Sequence, residues 1–372
     1  MQRDLLVFHL DYLYKNSKPV FSSGIVQGET GLALCYFYLF KITNQTDYYE
    51  KMHSILDHSI ERIKDDYSLG YGLAGLCWVI EIMKNEIEGA DKWLREANKV
   101  VSGKTVILLQ QGNLDLFKGG LGLLFYLLTQ KDTKENLSLL KDFLKIIDQK
   151  IEKNDWKVKS FRENKWITEI NLGVPHGITG ILLFLLLIKE KNILSVDAQI
   201  LKLAELLLNY RNEDSRKCYF PAKILEENEW IDSGIGWCYG DLTIGYALLK
   251  TGILCGINEY KDISLKILRE TVDREDYFHD IMILCHGYVS NAIIYDKIHK
   301  LSGDPFFQKT ANKWRIATRQ LCKRQYKSFL DRKEYSDFFN DSSLFYGFPG
   351  LFLAELFWDN EIDTKWSDCL LL

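Results

Sequence analysis

Two cysteines and a histidine are the residues of this sequence whose types and spacing could do chemistry. Cys285 and His286 stand side by side in the apolar run Ile283-Leu284-Cys285-His286-Gly287-Tyr288, in a chain with eight cysteines and seven histidines. Neighbouring side chains diverge along a helix, whereas in a turn or at a helix start both can converge on one point. Cys238 stands two residues before Gly240 just as Cys285 stands two before Gly287, and His176 directly precedes Gly177 just as His286 precedes Gly287. Thiolate and imidazole are donors that zinc accepts in a tetrahedral site. Cys238, Cys285 and His286 alone leave one place open, as in a catalytic centre. His176 as a fourth ligand would close the set into a structural site, and buried cysteines acting as small hydrophobes need no metal at all.

The charge of such a site selects its chemistry. Two thiolates and a neutral imidazole cancel the charge of Zn²⁺, so an incoming thiol can bind as thiolate near neutral pH and remain nucleophilic. The same neutral centre is a poor Lewis acid for water. Carbon–sulfur bond formation is therefore favoured over hydrolysis.

These residues span 111 positions, so a repeating architecture must bring them together. Seven segments share a turn glycine followed by an apolar helical run, and the common glycines are 28, 72, 119, 177, 240, 287 and 347. A second glycine follows three residues later at 31, 75, 122, 180 and 350, with the small Thr243 and Ser290 in the other two. The intervals of 44 to 63 residues each hold two helices of three to four turns at about 1.5 Å per residue. The post-glycine helices are apolar on nearly all faces, while segments such as 47–66, DYYEKMHSILDHSIERIKDD, are amphipathic. The expected fold is all-α: a double-layered α/α toroid of seven helical hairpins, closed rather than an open solenoid because the first and seventh motifs are as apolar as the rest. The first glycine of each pair is expected to take positive φ at the sharp turn into the helix, and the second to relieve crowding. Residues 154–173 and 217–236 read as short β-like excursions on the motif-bearing face of a single domain, 1–372.

Composition excludes other classes. A hydrophobic content of 47% supports a large core, and a net charge of −4 with scattered basic residues offers no footprint for nucleic acid. The start, MQRDLLVFHLDYLYKN, lacks the apolar core of a signal peptide, and the longest apolar run, GILLFLLLI at 180–188, is about half a membrane span. With no compact cysteine framework, the chain reads as a cytoplasmic protein that reaches a membrane only through partners.

The motifs VPHGITG (174–180), WCYG (237–240) and CHG (285–287), in that order on seven glycine-led repeats, resemble the lanthionine synthetase C-like (LanC-like) family of cyclases over the whole chain. The resemblance implies one zinc ion held by Cys238, Cys285 and His286, and an enzyme that adds cysteine thiols of a dehydrated precursor peptide to dehydroalanine or dehydrobutyrine, forming lanthionine thioether rings. It implies a dehydratase and a peptide exporter as company. His176 matches the family's acid/base histidine, Tyr239 the tyrosine after the first zinc cysteine, and Asp115 the catalytic aspartate; the competing readings are a helix-capping imidazole for His176, a packing role for Tyr239 and, explaining the residue equally well, an N-cap of the third inner helix for Asp115. The family's arginine four residues before the first zinc cysteine is replaced by Gly234, and WCYG is followed by Asp241-Leu242 in place of Pro-Gly, as in a divergent member.

Competing readings are a transferase joining glutathione to dehydrated residues on proteins, a non-catalytic peptide-binding toroid with structural zinc, and, fourth, a prenyltransferase-like toroid. Mass separates the first two: ring closure conserves it, and glutathione addition raises it.

Overall fold

The computed structural model describes residues 3–16, 22–130, 134–162, 165–212, 218–225, 229–274, 281–332 and 337–372. Within the expected excursions, residues 163–164, 217 and 226–228 lie outside the described residues. The helices in chain order are α1 (Arg3–Asn16), α2 (Thr30–Thr43), α3 (Thr46–Glu61), α4 (Leu73–Met83), α5 (Ala90–Gln110), α6 (Gly120–Thr129), α7 (Lys134–Lys153), α8 (Ile178–Glu190), α9 (Asp197–Asn209), α10 (Asp241–Cys255), α11 (Asn258–Glu270), α12 (Tyr288–Ser302), α13 (Pro305–Arg332), α14 (Asp337–Asn340) and α15 (Phe348–Trp358). The glycine-led helices are α2, α4, α6, α8, α10, α12 and α15.

The two helix types differ as their sequences require. α8 is buried without a break from Ile178 to Leu186, as a helix with no polar face must be. By contrast, α3 buries Met52, Ile55, Leu56 and Ser59, one stripe at helical spacing, and turns most of its charges to solvent, with Lys51 paired to Asp11 and Asp47. No helix among the described residues is long and apolar enough to cross a membrane.

Internal contacts divide the chain into two compact units. In the first, residues 1–140, 282–289 and 315–369, α2 packs against α1, α3, α4 and α15, and α4 packs against α5 and α6. In the second, residues 141–281, 290–314 and 370–372, α8 packs against α9 and α10, and α10 also packs against α11. The second unit carries a four-stranded antiparallel sheet in the order β1 (Lys157–Arg162), β2 (Lys165–Asn171), β3 (Lys223–Leu225), β4 (Trp230–Ile231). Its register sets Asn171 opposite Lys223 and Glu169 opposite Leu225.

The shared glycines serve a different purpose from the expected one at most repeats. Their φ is −134° at Gly72, −124° at Gly119, −146° at Gly177 and −105° at Gly347, and Gly240 alone among the shared glycines is positive, at 106°. The constraint is instead close approach of backbone to backbone. A Cβ on Gly72 would lie 2.0 Å from the Asp66 carbonyl oxygen, and one on Gly177 would lie 2.1 Å from that of Asn171. The second glycines do relieve crowding, but against turns: a Cβ on Gly122 would meet the Leu116 carbonyl at 1.9 Å and Leu69 Cβ at 2.8 Å.

One buried group gives the first unit a pH dependence. His9 on α1 is fully buried among Tyr12, Tyr326, Phe329, Phe339 and Phe348. Its Nε2 donates to the Phe339 carbonyl at 2.8 Å, and its Nδ1 has no partner. Burial lowers its pKa from 6.5 to about 4, against the Phe339 bond, which acts the other way. Because the folded value lies below the unfolded one, the stability of the neutral ring is full above pH 6.5 and is lost as pH falls toward 4, about 3 kcal/mol in all. Urea unfolding of wild type and His9→Phe is expected to show a steeper loss of stability in wild type between pH 7 and 4.5. Parallel pH profiles would refute the assignment.

Candidate metal centre

Common register in this chain is a physical fact, since neighbouring turns are hydrogen-bonded through their backbones. In the first unit the Val26 N–H donates to the Gly70 carbonyl at 2.8 Å, Gly70 donates to Phe117 at 2.9 Å and Cys285 donates to Phe345 at 3.2 Å, all five residues standing two before a shared glycine. In the second unit Val174 donates to the Cys238 carbonyl at 2.9 Å. Where the −2 residue donates, as at Val26, Gly70 and Cys285, the bond is made by its backbone N–H, so cysteine can occupy that position without cost to the turn; in the fourth turn Pro175 stands at −2 and the donor is Val174, one residue earlier.

Cys238, Cys285 and His286 come together. One ligand atom from each, two sulfurs and a ring nitrogen, lie within 4.8 Å of one another, with both cysteines buried and His286 half-buried. A tetrahedral zinc with bonds of about 2.3 Å to sulfur and 2.0 Å to nitrogen holds its donors roughly 3.5–3.8 Å apart, so small side-chain rotations suffice to seat the ion. The donor set is chemically right as well: soft sulfur and borderline imidazole, with no carboxylate in the group. His176 is not among the three residues of this group. The His286 ring meets Tyr346 edge-on with centroids 6.4 Å apart, which gives the imidazole a wall to lean on.

The remaining sequence-predicted residues sit on the same kind of turn. His176 precedes Gly177 at the start of α8, half-buried, two residues from the Val174 bond to Cys238. Tyr239 follows Cys238, and its ring presses on Gly173, where a Cβ would lie 2.4 Å from Tyr239 Cε1. Asp115 does not cap α6, whose N-cap is Gly119; its Oδ1 accepts the N–H groups of Phe117 and Lys118 at 2.7 and 2.8 Å, one turn earlier. Nearby, Lys118 Nζ lies 5.0 Å from the centroid of the Tyr71 ring. Burial, and then the charges of Asp115, Cys285 and Asp66, push the Tyr71 phenol above its ordinary pKa.

Two features escaped the sequence reading. Six residues before a shared glycine stands Ser22, Asp66, Asn113, Asn171 or Asp341, whose side-chain oxygen accepts the N–H two residues on, at 3.4, 2.9, 3.2, 3.0 and 2.7 Å respectively. The signal was available, as a small polar residue recurring at fixed offset. The fifth repeat has Gly234 there instead, and its carbonyl would lie 1.9 Å from a Cβ on Gly240. Asp241 takes over the anchoring: fully buried, it accepts the N–H groups of Tyr219 and Phe220 at 2.9 and 2.8 Å and pairs with Arg274, which also donates to the Ser233 carbonyl at 3.2 Å. That explains an aspartate directly after WCYG. Arg274→Ala, which removes the cation paired with the buried Asp241 carboxylate, is expected to destabilise the protein by roughly 3–5 kcal/mol in denaturant titration.

Comparison with known proteins bears on the fold and on the family. The structure of nisin cyclase matches with a TM-score of 0.79 at 18% identity, covering 99% of this chain and 96% of that one. A sugar epimerase from a ruminal bacterium aligns at a TM-score of 0.39 and 8% identity over 98% of this chain and 100% of that one, too weak to carry an argument. No curated protein sequence matches. The likeness to nisin cyclase bears out the expected fold class, an α/α toroid with a small antiparallel sheet. The profile of the family described as "Lanthionine synthetase C-like protein" matches residues 19–371, and the chain belongs to that family.

Proposed function

We propose that this protein is a zinc-dependent lanthipeptide cyclase, which adds cysteine thiols of a dehydrated precursor peptide to dehydroalanine or dehydrobutyrine and so forms lanthionine or methyllanthionine rings. The carrying observation is the convergence of Cys238, Cys285 and His286 in a member of this family. Those three side chains would hold one zinc ion, and bound zinc would supply a substrate thiol in its thiolate form near neutral pH.

The chain's own residues then manage one proton and one developing charge. Sulfur forms a bond to the β-carbon, the π pair of the dehydro residue moves toward its carbonyl oxygen, and the thiol proton has been released. His176 delivers a proton to the α-carbon, so the product has the mass of the substrate and one fewer free thiol. Tyr239 donates a hydrogen bond to the oxygen on which charge develops. Asp115 acts with them by fixing the turn that carries Lys118 beside Tyr71. The chain acts as a single toroid domain in the cytoplasm, receiving its peptide from a dehydratase and passing it toward an exporter.

The test is incubation of the zinc-loaded protein with a dehydrated, cysteine-containing peptide, read by mass and by thiol alkylation. Unchanged mass with loss of one alkylatable thiol per ring supports the cyclase. A mass gain in the presence of glutathione would establish the transferase instead, and no turnover together with unfolding on zinc removal would establish the scaffold.

A further inference from the structure

Behind Tyr239 lies a buried polar chain to which the functional reading assigns no role. β2 directs Glu169 and Asn171, two residues apart, to one face of the sheet, and Lys223 of β3 stands directly opposite Asn171. The exposures are 2% for Glu169, 3% for Asn171 and 7% for Lys223. Lys223 Nζ pairs with Glu169 Oε1 at 2.5 Å. A buried ion pair adds little net stability compared with apolar packing, so its use here calls for a job in orientation.

The hydrogen-bonding capacity of Asn171 fixes which way round it sits. Its Oδ1 accepts the Gly173 N–H at 3.0 Å, and a backbone N–H can only donate, so the amide cannot be flipped. Both hydrogens of Nδ2 therefore point the other way, toward Tyr239 Oη at 3.3 Å and Glu169 Oε1 at 3.4 Å. A phenol oxygen that accepts from an amide directs its own proton at a different acceptor. Gly173 supplies the steric stop on the far side of the ring.

Resting on the cyclase reading, we propose that Asn171 is a positioning residue that makes Tyr239 a hydrogen-bond donor toward the substrate oxygen where negative charge develops. The Glu169–Lys223 pair locks the Asn171 amide in the orientation this requires. Lys223 balances the carboxylate, so the relay carries no net charge into the site.

The turn register supplies a clean variant. Ser22, Asp66 and Asp341 make the same turn bond as Asn171 without an NH₂ group. Asn171→Ser should therefore keep the turn, the zinc content and the thermal midpoint while removing the donor to Tyr239; Asn171→Asp is unsuitable, because it would bury a second carboxylate beside Glu169. The expected result is a kcat for ring closure about tenfold lower with KM unchanged, and no further loss when Asn171→Ser is added to Tyr239→Phe. The ¹³Cζ resonance of Tyr239, identified by its absence in Tyr239→Phe and followed at constant pH, should move in Asn171→Ser. A wild-type rate in Asn171→Ser, an equal further loss in the Tyr239→Phe background, or an unmoved Tyr239 resonance would overturn the proposal. Should the wild-type protein close no ring on dehydrated peptide, the cyclase reading fails on its own, and the resonance alone decides whether Asn171 orients the phenol.

Discussion

Cys285→Ala loses its zinc and its ring-forming activity while remaining folded: that is the largest effect expected of any single substitution in this chain. The turn does not depend on the thiol, because the Cys285 N–H, not its side chain, bonds the Phe345 carbonyl. Alanine fits a site that already holds a small buried side chain, so the loss of stability should be no more than about 1–2 kcal/mol. Metal binding suffers far more. With two donors left, affinity should fall by more than the 10–100-fold typical of losing a residue behind a ligand, and turnover should fall with it. Zinc per chain, measured by mass spectrometry of the native protein, is expected to drop from one to near zero. Cys77→Ala is the control. Its thiol is pushed up to about 12 by burial within α4 and lies outside the Cys238–Cys285–His286 group, so zinc and activity should be untouched. Retention of both zinc and ring closure by Cys285→Ala would sink the proposed mechanism.

His176→Gln should separate proton delivery from metal binding. Glutamine keeps a polar side chain of similar reach but cannot relay a proton as imidazole does. The bonds that place its turn, Val174 to the Cys238 carbonyl and Gly173 to Asn171 Oδ1, do not involve the histidine ring. Zinc content and thermal stability should therefore match wild type, while ring closure slows by roughly 10²–10⁴-fold. In deuterated solvent the α-carbon should still acquire one deuteron per ring, now from solvent and without facial preference. The measurement is the diastereomer ratio of the thioether after hydrolysis. An unchanged rate with one stereoisomer retained would remove His176 from the reaction.

The meeting of Cys238, Cys285 and His286 was legible in the sequence because the repeats convert offset into position. Cys238 and Cys285 share a distance from their glycines, and the turn-to-turn bonds make that distance a real coordinate. The helix types were legible for a similar reason, since a run such as ITGILLFLLLI has no polar face to expose. The glycine conformation was misjudged because the crowding atom at Gly72 or Gly177 is a carbonyl six residues back, which no local propensity reveals. Asn171 was missed because its two jobs belong to different levels. Its turn bond is local, whereas its bond to Tyr239 spans 68 residues and depends on how β2 lies against the Cys238 turn. Arg274 and Asp241, 33 residues apart, are likewise a tertiary pair without a local signature.

The backbone bonds between turns also bear on how such a protein can diversify. The turns joined in this way are secured by backbone groups that every residue type except proline possesses, so the two positions ahead of their glycines can be rewritten without loosening the scaffold. At those sites the chain already displays glycine, phenylalanine, cysteine, tyrosine, lysine and histidine on equivalent footings. Evolution, or an engineer, could thus exchange chemistry one turn at a time, and new reactivity would require few enabling changes elsewhere in the molecule.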